Sequence, residues 1–297
     1  MPKNKDGAMR REFTRTQALI EDNLCSFFTD EVPQKTLLEA MRYSLLAGGK
    51  RIRPVITLQF CAACGGDMAD AMAAVCAIEM MHTYSLIHDD LPCMDDDALR
   101  RGEPTNHIVF GEYTAVLAGD ALQAAAFDTL LKSNLPGDAV VRMARVLADA
   151  SGAFGICGGQ QLDMQNEGKT LTREELIDIH SMKTASMLSA AAQLGVMAAG
   201  GTTEQQTAAA EYALALGLAF QVRDDILDST MTTAQLGKPA GSDKESGKFT
   251  FVSLLGAAEC NKIVRAETKK AILALRGKFE NPGFLIWLAE MLEERKY

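Results

Sequence analysis

Apolar residues recur at helical spacing along almost the whole chain. They predict helices near 12–30, 34–47, 54–64, 68–90, 108–132, 138–160, 172–199, 203–229, 249–259, 262–278 and 284–295. No run alternates with period two, and no Asn-Gly or Asp-Gly turn joins two β-branched runs, so no strand is predicted. The punctuation is also helical. Thr172 ahead of Glu174 and Glu175 reads as an N-cap, and Gly200-Gly201 closes one long helix before the next begins. Several helices are apolar nearly all round, which places them at the centre of the fold or against another subunit. With no linker, repeat or low-complexity segment, residues 1–297 read as one all-α domain.

Composition agrees with this picture. Of 297 residues, 47% are hydrophobic and only 6% aromatic, a balance that favours helix over strand. The net charge of −9 argues against a nucleic-acid-binding surface, which needs a clustered basic excess. The seven cysteines are odd in number and irregularly spaced, which fits a reducing cytoplasm better than a disulfide framework. Cys61 and Cys64 form a C-x-x-C, but no second Cys or His pair stands at zinc spacing. Small apolar residues in a helix are therefore the expectation there. The basic start, MPKNKDGAMRREF, precedes no apolar core of a secretory signal, and no apolar run reaches the length of a membrane span.

Three constellations carry candidate chemistry. In the first, Asp89, Asp90, Asp95, Asp96 and Asp97 follow the apolar stretch 77–87. Pro92 should end the helix after Asp90 and let Asp95 fold back beside Asp89. The second is Asp224-Asp225-Ile226-Leu227-Asp228, where Asp224 and Asp228 share a helix face with Gln221. An acidic run alone is ordinarily a solvated loop. Two such clusters, each emerging from a hydrophobic helix, would need cations to approach one another, and oxygen-only donors suit Mg²⁺. The third is the basic loop Gly48-Gly49-Lys50-Arg51-Ile52-Arg53-Pro54 at a helix start, where a phosphate would be welcome and surface charge is the plainer alternative. Further cations lie near the acidic clusters: Arg100, Arg101, Lys183, Lys238 and Lys248. His82 lies seven residues before Asp89 on the same helical face.

GGKRIRP, HTYSLIHDDLPCMDDDALRRG (82–102), GGQQLD (158–163), Lys183-Thr184, FQVRDDILD (220–228) and LGKPAGSDKESGKFTF (236–251) stand in the order found in trans-isoprenyl diphosphate synthases. The chain resembles the bacterial farnesyl diphosphate synthases of that family. The resemblance implies an all-α isoprenoid synthase fold around a deep central cavity, a homodimer, and three Mg²⁺ per active site. By that resemblance, Asp89 and Asp95 hold two ions and Asp224 the third. Arg100, Lys183 and Lys238 contact the allylic diphosphate, with Lys248 near the diphosphates and Thr184 and Gln221 near the reacting end. Gly49, Lys50, Arg53, His82 and Arg101 form the isopentenyl diphosphate site. Tyr84, with Ser85 beside it, stands where a bulky aromatic limits growth to fifteen carbons. Phe251 and Ala98 depart from the family's usual Tyr and Asp.

The implied reaction ionises an allylic diphosphate, adds isopentenyl diphosphate to the cation, and loses a proton to the released diphosphate. It needs no protein nucleophile, and no Ser-His-Asp or Cys-His arrangement is visible. Three rivals are a geranylgeranyl diphosphate synthase, a terpene cyclase and a non-catalytic prenyltransferase subunit. The DDILD cluster and the anion loop argue against the cyclase, and the intactness of both aspartate clusters argues against the subunit.

Overall fold

The computed structural model describes residues 3–230 and 248–295, and it is helical almost throughout. The helices are α1 (Lys3–Leu24), α2 (Lys35–Leu45), α3 (Ile52–Ala63), α4 (Met68–Asp89), α5 (Asn106–Phe110), α6 (Glu112–Leu131), α7 (Gly137–Ser151), α8 (Ile156–Gln165) and α9 (Arg173–His180). After a π-helical turn at Ser181–Ala185 come α10 (Ser186–Ala198), α11 (Thr203–Thr230), α12 (Phe251–Leu255), α13 (Ala257–Ala274) and α14 (Gly283–Glu293). None of the described helices is long and apolar enough to cross a membrane.

The main core gathers α3, α4, α6, α7, α10, the first half of α11, and α14. Within α4, residues from Ala71 to Ile87 are buried on nearly every face, which places this helix at the centre, as its sequence predicts. Asp67 starts it by accepting from the Ala69 amide at 2.9 Å. A smaller core holds Leu176, Ile179, Val222, Ile226, Phe251 and Val264, and it fastens the second half of α11 to α9, α12 and α13. Thr172 and Glu175 cap α9 reciprocally. The π turn that follows interrupts the predicted 172–199 helix where Lys183 and Thr184 lie, and such bulges often occur at functional sites.

Several boundaries differ from the periodicity. The first helix spans Lys3–Leu24 rather than 12–30. Its polar start is docked by Asp6, which accepts from Trp287 Nε1 at 2.8 Å, and the chain turns at Phe28 (φ 59°). The predicted 138–160 helix breaks at Gly152–Gly155, and 108–132 breaks at Gly111 (φ 85°). The last break before α13 falls at Gly256 (φ 77°), not after residue 259. One strand pair exists among the described residues where none was expected. Leu99–Arg100 (β1) pairs antiparallel with Glu103–Pro104 (β2). Its turn residues Arg101 (φ 58°) and Gly102 (φ 87°) are both left-handed, as tight hairpins require. Two-residue strands are too short to leave a period-two pattern.

Candidate active site

The loop between α2 and α3, the C-terminal end of α4 and the small hairpin build a basic pocket. Arg53 Nη1 lies 3.2 Å from His82 Nε2 across α3 and α4. Arg101, carried by the hairpin turn, donates to Gly48 O. Gly49 is required beside it: a Cβ there would stand 2.6 Å from Arg101 Cζ, and its φ is +118°. Burial, with Arg101 adding to it and Glu79 opposing, pushes Arg53 down to about 10. Burial and the surrounding guanidiniums push His82 well below its ordinary value, so its ring is neutral at pH 7. Burial and Arg295 lower Lys50 against the pull of Asp224. Arg53 Nε and His82 Nδ1 are buried without a hydrogen-bond partner among the described residues. Cations so placed destabilise one another until an anion joins them. A cleft opens beside this pocket, bordered by Thr83, Leu86, Ile87, Asp90, Arg100 and Arg101.

The acidic side begins where α4 ends. Asp95 N donates to Asp89 O at 2.9 Å, so the chain after Pro92 does fold back. Gln160 on α8 donates to Asp89, and Lys248 reaches Asp95 at 3.1 Å. Asp163, one turn after Gln160, pairs with Lys183 at 2.6 Å and approaches Lys248 at 3.8 Å. α8 lies close enough to the π turn for this because Gly159 has no side chain; a Cβ would stand 2.2 Å from Lys183 N. Arg100 Nε bonds Asp90 at 2.9 Å, and its Nη2 bonds Asp97 at 2.9 Å. On α11, Gln221 accepts from Thr184 Oγ1 at 3.2 Å, Asp225 accepts from the Phe251 amide at 3.0 Å, and Asp224 pairs with Arg295 at 2.7 Å.

The electrostatics follow from this placement. Burial raises the Asp89 carboxyl, reinforced by Asp95 and opposed by Lys183. Burial lifts Asp90 to about 6 although Arg100 bonds it. Burial also works on Asp163, but Lys183 and Lys248 outweigh it and hold that carboxyl below its usual range. Among the described residues no three His, Cys, Asp or Glu side chains form a ready metal cage. Mg²⁺ rarely uses one, binding through one or two carboxylates and the substrate phosphates. Crowded, partly buried carboxylates at Asp89 and Asp95 therefore fit the ion through their oxygen donors.

Of the residues singled out in the sequence, Gly49, Arg53, His82 and Arg101 come together, as do Asp89, Asp95, Lys183 and Lys248, and Thr184 with Gln221. Asp224 is held by Arg295, and Lys50 lies within electrostatic reach of both. Lys238 lies outside the described residues. Tyr84 is 3% exposed, and its hydroxyl lies 3.3 Å from both Ser151 O and Cys157 Sγ. It borders the basic cleft only through its neighbour Thr83. Ser85 spends its hydroxyl on His82 O at 2.8 Å. Phe251 is 1% exposed and stacks on His180, so the hydroxyl absent there would have been buried. Gln160 and Asp163 escaped the residue-level reading although GGQQLD flagged their segment. Arg295 carried no signal, standing far from every motif.

Comparison with known proteins bears on this arrangement. The polyprenyl synthetase family pattern matches residues 34–281. The farnesyl diphosphate synthase of Geobacillus stearothermophilus is 44% identical over 270 residues, covering 90% of this chain and 91% of that protein. Geranylgeranyl pyrophosphate synthase 3, chloroplastic, of Arabidopsis thaliana is 49% identical over 247 residues, covering 80% of this chain and 69% of that one. The crystal structure of a geranyltransferase from Helicobacter pylori, complexed with magnesium and isoprenyl diphosphate, superposes with a TM-score of 0.83 at 33% identity, covering 98% of this chain and 96% of that one. The chain accordingly belongs to the polyprenyl synthetase family of trans-isoprenyl diphosphate synthases, and it is a prenyltransferase.

Proposed function

We propose that the protein condenses isopentenyl diphosphate head to tail with dimethylallyl or geranyl diphosphate and delivers mainly farnesyl diphosphate. The observation that carries the two-substrate reading is the pairing of two differently charged sites. Arg53 and Arg101 gather around the neutral ring of His82, with Lys50 on the same loop as Arg53, and cations so arranged suit a diphosphate without metal. Asp89 and Asp95 stand close to Lys183, Lys248 and Arg100, which suits a diphosphate bridged by metal.

In this reading Asp89, Asp95 and Asp224 hold three Mg²⁺. The bound ions supply charge that offsets the negative charge developing on the departing diphosphate. Lys183, Lys248, Arg100 and Lys238 hold the same oxygens, and Lys183 and Lys248 exchange their present carboxylate partners for phosphate. Thr184 and Gln221, already bonded to each other, face the reacting end of the allylic chain. The neutral ring of His82 donates to the second diphosphate without adding a full charge.

Tyr84 limits the product. Its ring is buried one and a half turns before Asp89 and is held at its hydroxyl end, so it resists displacement by a lengthening chain. The competing reading, geranylgeranyl diphosphate, is favoured by the Arabidopsis relatives. The chain works as one domain and as a homodimer. Ile108, Val109, Tyr113, Val116 and Leu117 expose an apolar face on α5 and α6 that suits a second copy. All seven cysteines are unbridged, in keeping with a reducing cytoplasm. Purified protein given labelled isopentenyl diphosphate and dimethylallyl diphosphate should form longer prenyl diphosphates with Mg²⁺ and none in EDTA. Consumption of a single prenyl diphosphate without isopentenyl incorporation would contradict the reading.

A further inference from the structure

The basic loop between α2 and α3 carries three cations, but they do different things. Arg53 lies against His82 in the anion pocket, and Lys50 stands on the same loop within electrostatic reach of Asp224 and Arg295. Arg51, between Lys50 and Arg53, is turned inward and is 3% exposed. Its Nε donates to Glu21 Oε1 at 2.7 Å, and its Nη2 donates to Glu21 Oε2 at 3.2 Å and to Leu45 O at 2.8 Å. Its Nη1 donates to Glu79, which is 1% exposed and lies three residues before His82 on α4. One turn before Glu21 on α1, Gln17 donates to Lys50 O at 3.0 Å. One guanidinium therefore ties together α1, the end of α2, and α4, within the loop that carries Lys50 and Arg53.

Two physical points argue that this arrangement serves more than stability. A buried ion pair contributes little net stability against apolar packing, and its best-attested use is to fix one arrangement out of several. The backbone of Arg51 is also left-handed (φ 50°), a conformation that is unfavourable for a non-glycine residue and persists only where its surroundings impose it. Here the imposed conformation sets the direction in which Lys50 leaves the loop and the point at which α3, with Arg53 in its first turn, begins. The planar fork of Arg51, engaging two carboxylates and a carbonyl, fixes geometry in a way that a lysine ammonium cannot.

We infer that Arg51 is a positioning residue for the isopentenyl diphosphate site, holding Lys50 and Arg53 in their presenting geometry through Glu21, Glu79 and Leu45 O. This rests on the reading of the basic loop as the isopentenyl diphosphate site. The test is steady-state kinetics of Arg51→Lys and Glu21→Gln, with Lys50→Ala as the control for the site itself. Arg51→Lys keeps the charge and loses the fork. It should raise the KM for isopentenyl diphosphate about tenfold, while the KM for geranyl diphosphate and kcat stay within about twofold. Glu21→Gln, at a partly exposed partner, should give a smaller rise of about threefold with the same selectivity. Should Arg51→Lys fail to fold, Glu21→Gln decides on the same split. An unchanged KM for isopentenyl diphosphate, or equal rises for both substrates, overturns the positioning role if Lys50→Ala raises it. If Lys50→Ala itself leaves that KM unchanged, the loop is not the site, and the inference falls with that reading.

Discussion

Replacing Tyr84 with Ala should let the prenyl chain grow past fifteen carbons, and the structure sets the energies involved. Tyr84 lies five residues before Asp89, about 7.5 Å along the axis of α4. Its ring is buried, packs edge-on against His88 at 5.8 Å, and is held by Ser151 O and Cys157 Sγ. Deleting a buried aromatic ring typically costs about 3–5 kcal/mol through lost burial and the cavity left behind. An isoprene unit has five carbons, and burying each contributes about 0.8 kcal/mol, or roughly 4 kcal/mol for the unit. A twenty-carbon chain entering the hole would therefore offset most of the loss, whereas a fifteen-carbon chain would not.

The assay is labelled isopentenyl diphosphate with geranyl diphosphate, followed by dephosphorylation and separation of the alcohols by chain length. Tyr84→Ala should move product toward twenty carbons or more, and its melting temperature should recover more with a twenty-carbon analogue than with a fifteen-carbon one. Tyr84→Phe keeps the ring and loses the hydroxyl contacts, so it should keep the fifteen-carbon product. A folded Tyr84→Ala enzyme with an unaltered product distribution would refute the proposed role of Tyr84 as the limit on chain length.

Three other outcomes are expected. Asp89→Asn and Asp224→Asn should each lower kcat by several kcal/mol of transition-state stabilisation, on the scale of about 3–4 kcal/mol known for single electrostatic groups, as read in Mg²⁺-saturated turnover. Lys50→Ala should raise the KM for isopentenyl diphosphate well above any change for geranyl diphosphate, whereas Arg100→Ala should act mainly on the allylic substrate or its ionisation, as initial rates against each substrate will show. His180 is pushed down to about 4 by burial, from 6.5, so the unfolded state takes up its proton first as pH falls. Its contribution to stability is whole above 6.5 and is lost as pH falls toward 4, by up to about 3 kcal/mol. Denaturant titrations should show His180→Phe gaining on the parent protein across that window, and parallel pH profiles would contradict this.

The parts of the fold that could be read in the sequence are those with sustained apolar periodicity or local punctuation. The path of α4, buried on nearly every face, and the cap at Thr172 were legible because each depends on residues close in sequence. The fold-back of Asp95 onto Asp89 was legible because Pro92 forces it. The breaks at Gly111 and Gly152–Gly155 were not, because apolar spacing runs through them and glycine alone does not dictate φ. The same division holds in the site. The aspartates and the basic loop announce themselves as clusters, whereas Arg295 reaches Asp224 across 71 residues and only tertiary packing brings it there. Nothing near Asp163 in the sequence points to Lys183; the pair forms because Gly159 lets α8 lie against the π turn. Arg51 could not be told from Lys50 and Arg53 by composition, since the difference lies in which way each side chain leaves the loop.

The proposed reaction brings two diphosphates together in this site and stops the chain at fifteen carbons. It is tested most directly by the chain length of the product that the unmodified enzyme makes from geranyl diphosphate and excess isopentenyl diphosphate with Mg²⁺. Farnesyl diphosphate as the predominant product, with none formed in EDTA, is the predicted result. Predominant geranylgeranyl diphosphate, or turnover without a divalent ion, would contradict it.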